Sequence, residues 1–107
     1  MAITKDKRLI REDIRQYISL LEKENIHIFQ AYLFGSYLKG TADQWSDIDL
    51  AIVTDAFIGD HFDFRFMLTK LARKINADIE PHPYLVNDFN DANPAAGDIL
   101  KNGERIL

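Results

Sequence analysis

No cysteine occurs in the sequence, which rules out a disulfide framework and a thiolate zinc site. Nor does any apolar run reach the length of a membrane span or follow the pattern of a signal peptide, so the cytoplasm is the expected address and no membrane partner is expected. Positive charge is in short supply as well: 13 Lys and Arg stand against 17 Asp and Glu, a formal charge of -4. A chain of that balance repels a phosphate backbone, and direct nucleic-acid binding is not expected. Internal repeats, low-complexity stretches and linker-like segments are also missing, so residues 1–107 read as a single domain.

What is present is the composition of an ordinary globular chain, 47% hydrophobic and 28% charged. A length of 107 residues allows one core but not a second, substrate-binding domain. A bulky acceptor would have to bring its own binding surface.

Ile10, Ile14, Tyr17 and Leu21 recur at helical spacing and predict an amphipathic helix from about Lys5 to Glu24. The charged residues of Lys5 to Arg15 would form its solvated face. A short aromatic and branched run from Ile28 to Phe34, stopped by Gly35, predicts a buried strand. Ile48 to Thr54 is a second apolar run, too short for a typical helix, and predicts another. Asp60 can cap a helix whose buried face carries Phe64, Leu68, Leu71 and Ile75 and which leaves at Asn76. Alternation resumes from Ala77 to Val86, but Pro81 and Pro83 cannot donate ladder bonds, which predicts a brief strand with its later half at a sheet edge or beyond it. Asn93-Pro94 and Gly103 bracket a final helix over Pro94 to Asn102. The order is helix, strand, turn, strand, helix, strand, helix, an α/β or α+β class.

The segment with chemical content is LFGSYLKGTADQWSDIDLAIV, Leu33 to Val53. Asp47 and Asp49 stand two apart in a predicted strand, so their carboxylates leave the same face. Two such neighbours repel unless a divalent cation lies between them, as Mg²⁺ does in phosphoryl-transfer sites. Gly35 has no Cβ and lets the backbone N–H groups of a strand-to-helix turn approach an anion. Ser36 adds a hydroxyl donor, and Lys39, one helical turn on, offers a charge to a triphosphate.

Each piece taken singly has a plainer reading. Ser46-x-x-Asp49 also fits a capping box, Gly35-Ser36 a plain turn, and Lys39 a solvated surface lysine. His27, His61 and His82 show no metal-ligand spacing and read as structural or surface histidines, while Trp45 and the phenylalanines of Phe57 to Phe66 read as core or interface residues. The pieces gain weight by occurring together.

A strand ending in Gly-Ser, then the ten residues Tyr37 to Ser46, then Asp-x-Asp on a second strand resembles the signature of the DNA polymerase beta nucleotidyltransferase superfamily. It is most similar to the minimal nucleotidyltransferase (MNT) branch. The similarity covers essentially the whole chain, including EPHPY, DF, NP and IL-x-x-G between Glu80 and Gly103. The resemblance implies a nucleotidyltransferase fold, a small mixed sheet flanked by helices. It implies Mg²⁺-dependent transfer of a nucleoside monophosphate, AMP from ATP, with Asp47 and Asp49 binding metal and Gly35 and Ser36 holding the β- and γ-phosphates. A third carboxylate completes a site for two ions and acts near the acceptor hydroxyl. Asp78 and Glu80 both qualify, and the EPHP context favours Glu80. MNT proteins of this size are often antitoxins that modify a tyrosine hydroxyl of a helical HEPN ribonuclease, which implies a HEPN-type partner. Two other functions stay open: transfer to a small alcohol, as in antibiotic-type relatives that carry a further helical domain, and a non-catalytic module that neutralises its partner by occlusion.

Overall fold

The computed structural model describes the backbone of residues 7–39 and 46–107 and their side chains except those of residues 7, 38 and 39. The first helix, α1 (Lys7–Lys23), buries Ile10, Ile14, Tyr17, Ile18 and Leu21 as one stripe. It ends where Asn25 adopts φ 62°, a conformation asparagine tolerates better than most residues. The Ile26 N–H then donates back to the Leu21 carbonyl at 3.0 Å.

A four-stranded mixed sheet follows in the order β3-β2-β1-β4. β1 (Gln30–Phe34) pairs antiparallel with β2 (Ile48–Thr54), and β2 pairs parallel with β3 (Ile79–Leu85). The short β4 (Glu104–Arg105) adds to the other side of β1 and had no forecast in the sequence. Between β1 and β2 the chain makes one turn of helix, α2 (Ser36–Lys39).

β3 runs for 7 residues through both prolines, longer than the brief strand predicted. The reason is their phase. Ile48 N–H donates to the Asp78 carbonyl at 2.7 Å, so by alternation the even-numbered residues of β3 bond to β2, while Pro81 and Pro83 turn their nitrogens to the open edge. The expected edge placement holds, and the prolines cost no ladder bond.

The two faces of the sheet are covered unequally. On one face Ile48, Leu50, Ile52, Ala31 and Leu33 meet α1 and α3 (His61–Ala72) in the main core. Helix α3 starts at Asp60, whose Oδ1 accepts from the Asp63 N–H at 2.8 Å. It buries Phe64, Leu68, Leu71 and Ala72. Ile75 lies beyond the helix end but still packs on the core, partly buried. The buried Tyr17 hydroxyl donates to the Leu68 carbonyl at 2.7 Å, tying α1 to α3, and burial pushes this phenol's pKa well above its ordinary value. Tyr17→Phe should destabilise the protein by about 1 to 1.5 kcal/mol in urea unfolding, the net worth of one buried hydrogen bond. An unchanged midpoint would show that the bond is idle.

On the other face, α4 (Pro94–Asn102) and Phe89 cover Tyr32, Ala51 and Val53. Asn93 caps α4 by accepting from the N–H groups of Ala95 and Ala96. Gly103 closes it for a reason other than a left-handed turn, since its φ is -77°. A Cβ there would lie 2.5 Å from the Ile99 carbonyl oxygen and 3.2 Å from that of Leu33. Because α4 stops over Ala51 and Val53, the opposite end of this face, at the start of β2 and β3, lies outside the second core. No described helix is long and apolar enough to cross a membrane.

Candidate active site

Strand register brings the acidic residues together. Asp49 lies opposite Phe34 of β1 and beside Glu80 of β3, and His82 follows two residues later on the same face as Glu80. The His82 Nε2 stands 3.1 Å from the Asp49 Oδ1. Its ring also packs against Phe34, centroids 5.1 Å apart, so the imidazole is held between an aromatic ring and a carboxylate. Glu80 receives a hydrogen bond from Arg65 Nη2 of α3 at 3.1 Å. Asp47 is exposed and sits just before β2 rather than within it, close enough to Glu80 to favour that residue's protonated form.

This crowding has an electrostatic result. Partial burial raises the Glu80 pKa, and a hydrogen bond to Asp47 adds to the effect. The charges of Asp47 and Asp49 push the same way, while His82 opposes them. Ligand atoms of Asp49, Glu80 and His82 all lie within 4.8 Å of one another, so a small side-chain rotation would close them on one divalent cation. A carboxylate whose ionisation is made costlier by neighbouring carboxylates belongs to a fitting donor set for such an ion, since the cation offsets that repulsion.

Gly35 turns at φ 83°, the left-handed region that favours glycine. A Cβ at this position would collide with the Asp49 carboxylate. Gly35 and Asp49 are thus one unit, with the turn leaving the space that the carboxylate fills. Ser36, half-buried, opens α2 directly after it.

The family model described as polymerase beta, nucleotidyltransferase, matches residues 12–107. The chain belongs to the polymerase beta nucleotidyltransferase family. Among solved structures it is similar to a chain of a toxin–antitoxin crystallised with AMP-PNP, at 27% identity and TM-score 0.62, over 91% of this chain and 72% of that one. It is likewise similar to a chain of a mutant MntA–HpeT toxin–antitoxin pair, at 26% identity and TM-score 0.59, over 87% of this chain and 70% of that one. A chain from the complex of tri-AMPylated Shewanella oneidensis HEPN toxin with MNT antitoxin shares the fold, at 23% identity and TM-score 0.58, over 91% and 71%. No curated protein matches significantly.

In this nucleotidyltransferase the cluster lies where β1 ends and β2 and β3 begin. Of the two acids weighed for the third position, the structure gathers Glu80 with Asp49 and His82 and leaves Asp78 out of that group. Asp78 precedes β3, and its carbonyl serves the ladder to Ile48. The Lys39 side chain and Trp45 lie outside the described residues.

His82 was missed in the sequence as a candidate ligand. The signal was available, because Glu80-x-His82 on a strand has the same two-residue phase as Asp47-x-Asp49. Arg65 left no such signal, since its approach to Glu80 depends on how α3 packs on β3.

Two outcomes follow for the site. Gly35→Ala should weaken Mg²⁺ and triphosphate binding together, because the methyl displaces Asp49 as well as crowding the turn, and should cost about 1–3 kcal/mol of stability from backbone strain. Calorimetry alongside thermal melting would test this, and unchanged metal affinity would separate the turn from Asp49. His82→Gln should lower Co²⁺ affinity roughly tenfold and Mg²⁺ affinity less, since imidazole nitrogen suits the later transition metals. Equal losses for the two ions would mean that His82 only orients Asp49.

Proposed function

We propose that this nucleotidyltransferase carries AMP from ATP to a hydroxyl of a partner protein of the HEPN type, and that it is the antitoxin of such a toxin–antitoxin pair in the cytoplasm. The observation that carries the reading is the Asp49, Glu80 and His82 cluster with Gly35 fitted against Asp49, on a part of the sheet face beyond the second core. The likeness to chains of toxin–antitoxin complexes, one of them with AMP-PNP, supports it.

Asp47 and Asp49, with Glu80, would hold Mg²⁺, two ions in the full site. The bound cations supply charge neutralisation for the triphosphate. The Gly35 backbone and the Ser36 hydroxyl hold the β- and γ-phosphates, and the Lys39 charge assists. The acceptor oxygen attacks the α-phosphorus as the bond to the pyrophosphate oxygen breaks, and the hydroxyl proton passes to Glu80. A carboxylate beside the acceptor oxygen is the general base that such a transfer needs.

The test is to incubate the protein with labelled ATP, Mg²⁺ and a HEPN-type protein from the same genome, then to locate the added mass by peptide mass spectrometry. AMP on a tyrosine, serine or threonine of that protein is the expected result. A tight complex that inhibits the partner without modifying it would instead establish occlusion.

A further inference from the structure

Helix α3 presents aromatic residues on its outer side as well as its inner one. Phe62 and Phe66, one turn apart, are 78% and 64% exposed, opposite the buried Phe64 and Leu68. With Arg65, Thr69, Lys70 and Arg73 they line a groove of about 300 Å³. Among the described residues no acid lines it, although the whole chain carries a charge of -4. Among the described residues no ion pair involves Lys70 or Arg73.

The groove is linked to the acidic cluster by one residue, because Arg65 on its wall donates to Glu80. A molecule seated there would be one side chain away from the carboxylate assigned to the acceptor hydroxyl. Exposed aromatics beside arginines are the residue types that dominate binding energy at protein interfaces. Positive charge on an otherwise acidic chain selects a partner surface of the opposite sign.

We infer that the outer face of α3 docks the acceptor protein, through a surface of that partner whose apolar patch covers Phe62 and Phe66 and whose flanking Asp and Glu residues pair with Lys70 and Arg73. The inference rests on the proposed function for the existence of a protein acceptor. It adds where that acceptor sits and what chemistry it presents.

The probe is the HEPN-type protein from the same genome, titrated by calorimetry against the wild type, Phe62→Ser with Phe66→Ser, and Arg73→Glu. All these side chains are exposed or partly so, and circular dichroism with ATP·Mg²⁺ binding verifies that each variant keeps its fold and site. The double variant should bind the partner at least 100-fold more weakly. Arg73→Glu should lose roughly tenfold and regain it when an acid on the partner's docking surface is changed to lysine. If both variants bind as tightly as the wild type and the partner is still modified, the docking face is wrong and the proposed function stands. If the wild type neither binds nor modifies the partner while it still binds ATP·Mg²⁺, the acceptor itself is wrong and the inference falls with it. Sedimentation of the wild type alone closes the remaining alternative: a dimer that the Phe62→Ser, Phe66→Ser variant loses would give the face to a second copy of this chain and overturn the inference.

Discussion

Exchanging Asp47 and Asp49 together for asparagine is expected to lower nucleotidyl transfer by at least about 10³-fold while the protein stays folded. Neutral amides cannot offset the charge of a divalent ion, and losing about 4 kcal/mol of electrostatic stabilisation in the transition state corresponds to that factor. The fold should survive because Asp47 is exposed and Asp49 bonds to His82 rather than to the core. Relief of repulsion toward Glu80 offsets part of what is lost. Transfer rates compared at matched circular dichroism signal decide the matter. Near-native transfer by the folded double variant would remove both residues from the mechanism.

Glu80→Gln is expected to act with opposite signs on activity and on stability. Transfer should fall by about 100-fold or more, since the variant loses both the proposed cation ligand and the proposed proton acceptor. The metal-free protein, in contrast, should become no less stable at neutral pH. Glu80 has a folded-state pKa above its ordinary value, first from burial and then from its contact with Asp47. A carboxyl shifted that way favours the fold fully when protonated, below its unfolded pKa, and loses that contribution as pH rises through the folded pKa. The stability gap between variant and wild type should therefore be widest at neutral pH and close on acidification through that raised pKa. Over the same range wild-type cation affinity should fall, beginning at a higher pH than for an ordinary glutamate. The lost bond to Arg65 changes little, because that pair is well exposed to water. Melting curves against pH without metal, beside metal titrations, test both halves, and a variant markedly less stable at neutral pH would contradict the argument.

Much of this molecule was legible because its signals are local. The Asn93-Pro94 pair sets the start of α4, and the brevity of Ile48 to Thr54 marks β2; both elements occupy the predicted residues. Gly35-Ser36 and Asp47-x-Asp49 could be paired by complementary chemistry and by the family resemblance, and the structure adds the contact that joins Gly35 to Asp49. What was not legible depends on neighbours remote in sequence. β4 is 2 residues long and exists only because Leu33 and Tyr32 offer it a partner. The length of β3 turns on which way two prolines face, a property of register rather than of composition. Periodicity singles out Phe64 for the buried face of α3, but that Phe62 and Phe66 face water rather than a second layer of core is settled by packing.

The prolines of β3 have a bearing on how this protein meets others. An open sheet edge is a template on which foreign strands can assemble, and many proteins defend theirs with charge or a covering helix. Here Pro81 and Pro83 occupy the outward positions of the edge strand, so two consecutive outward sites have no N–H to offer an incoming strand. A β-strand from another chain would find only carbonyls there and could not continue the ladder. The sheet is thereby insulated from aggregation along the strand next to its acidic cluster, and recognition at this side is left to side chains.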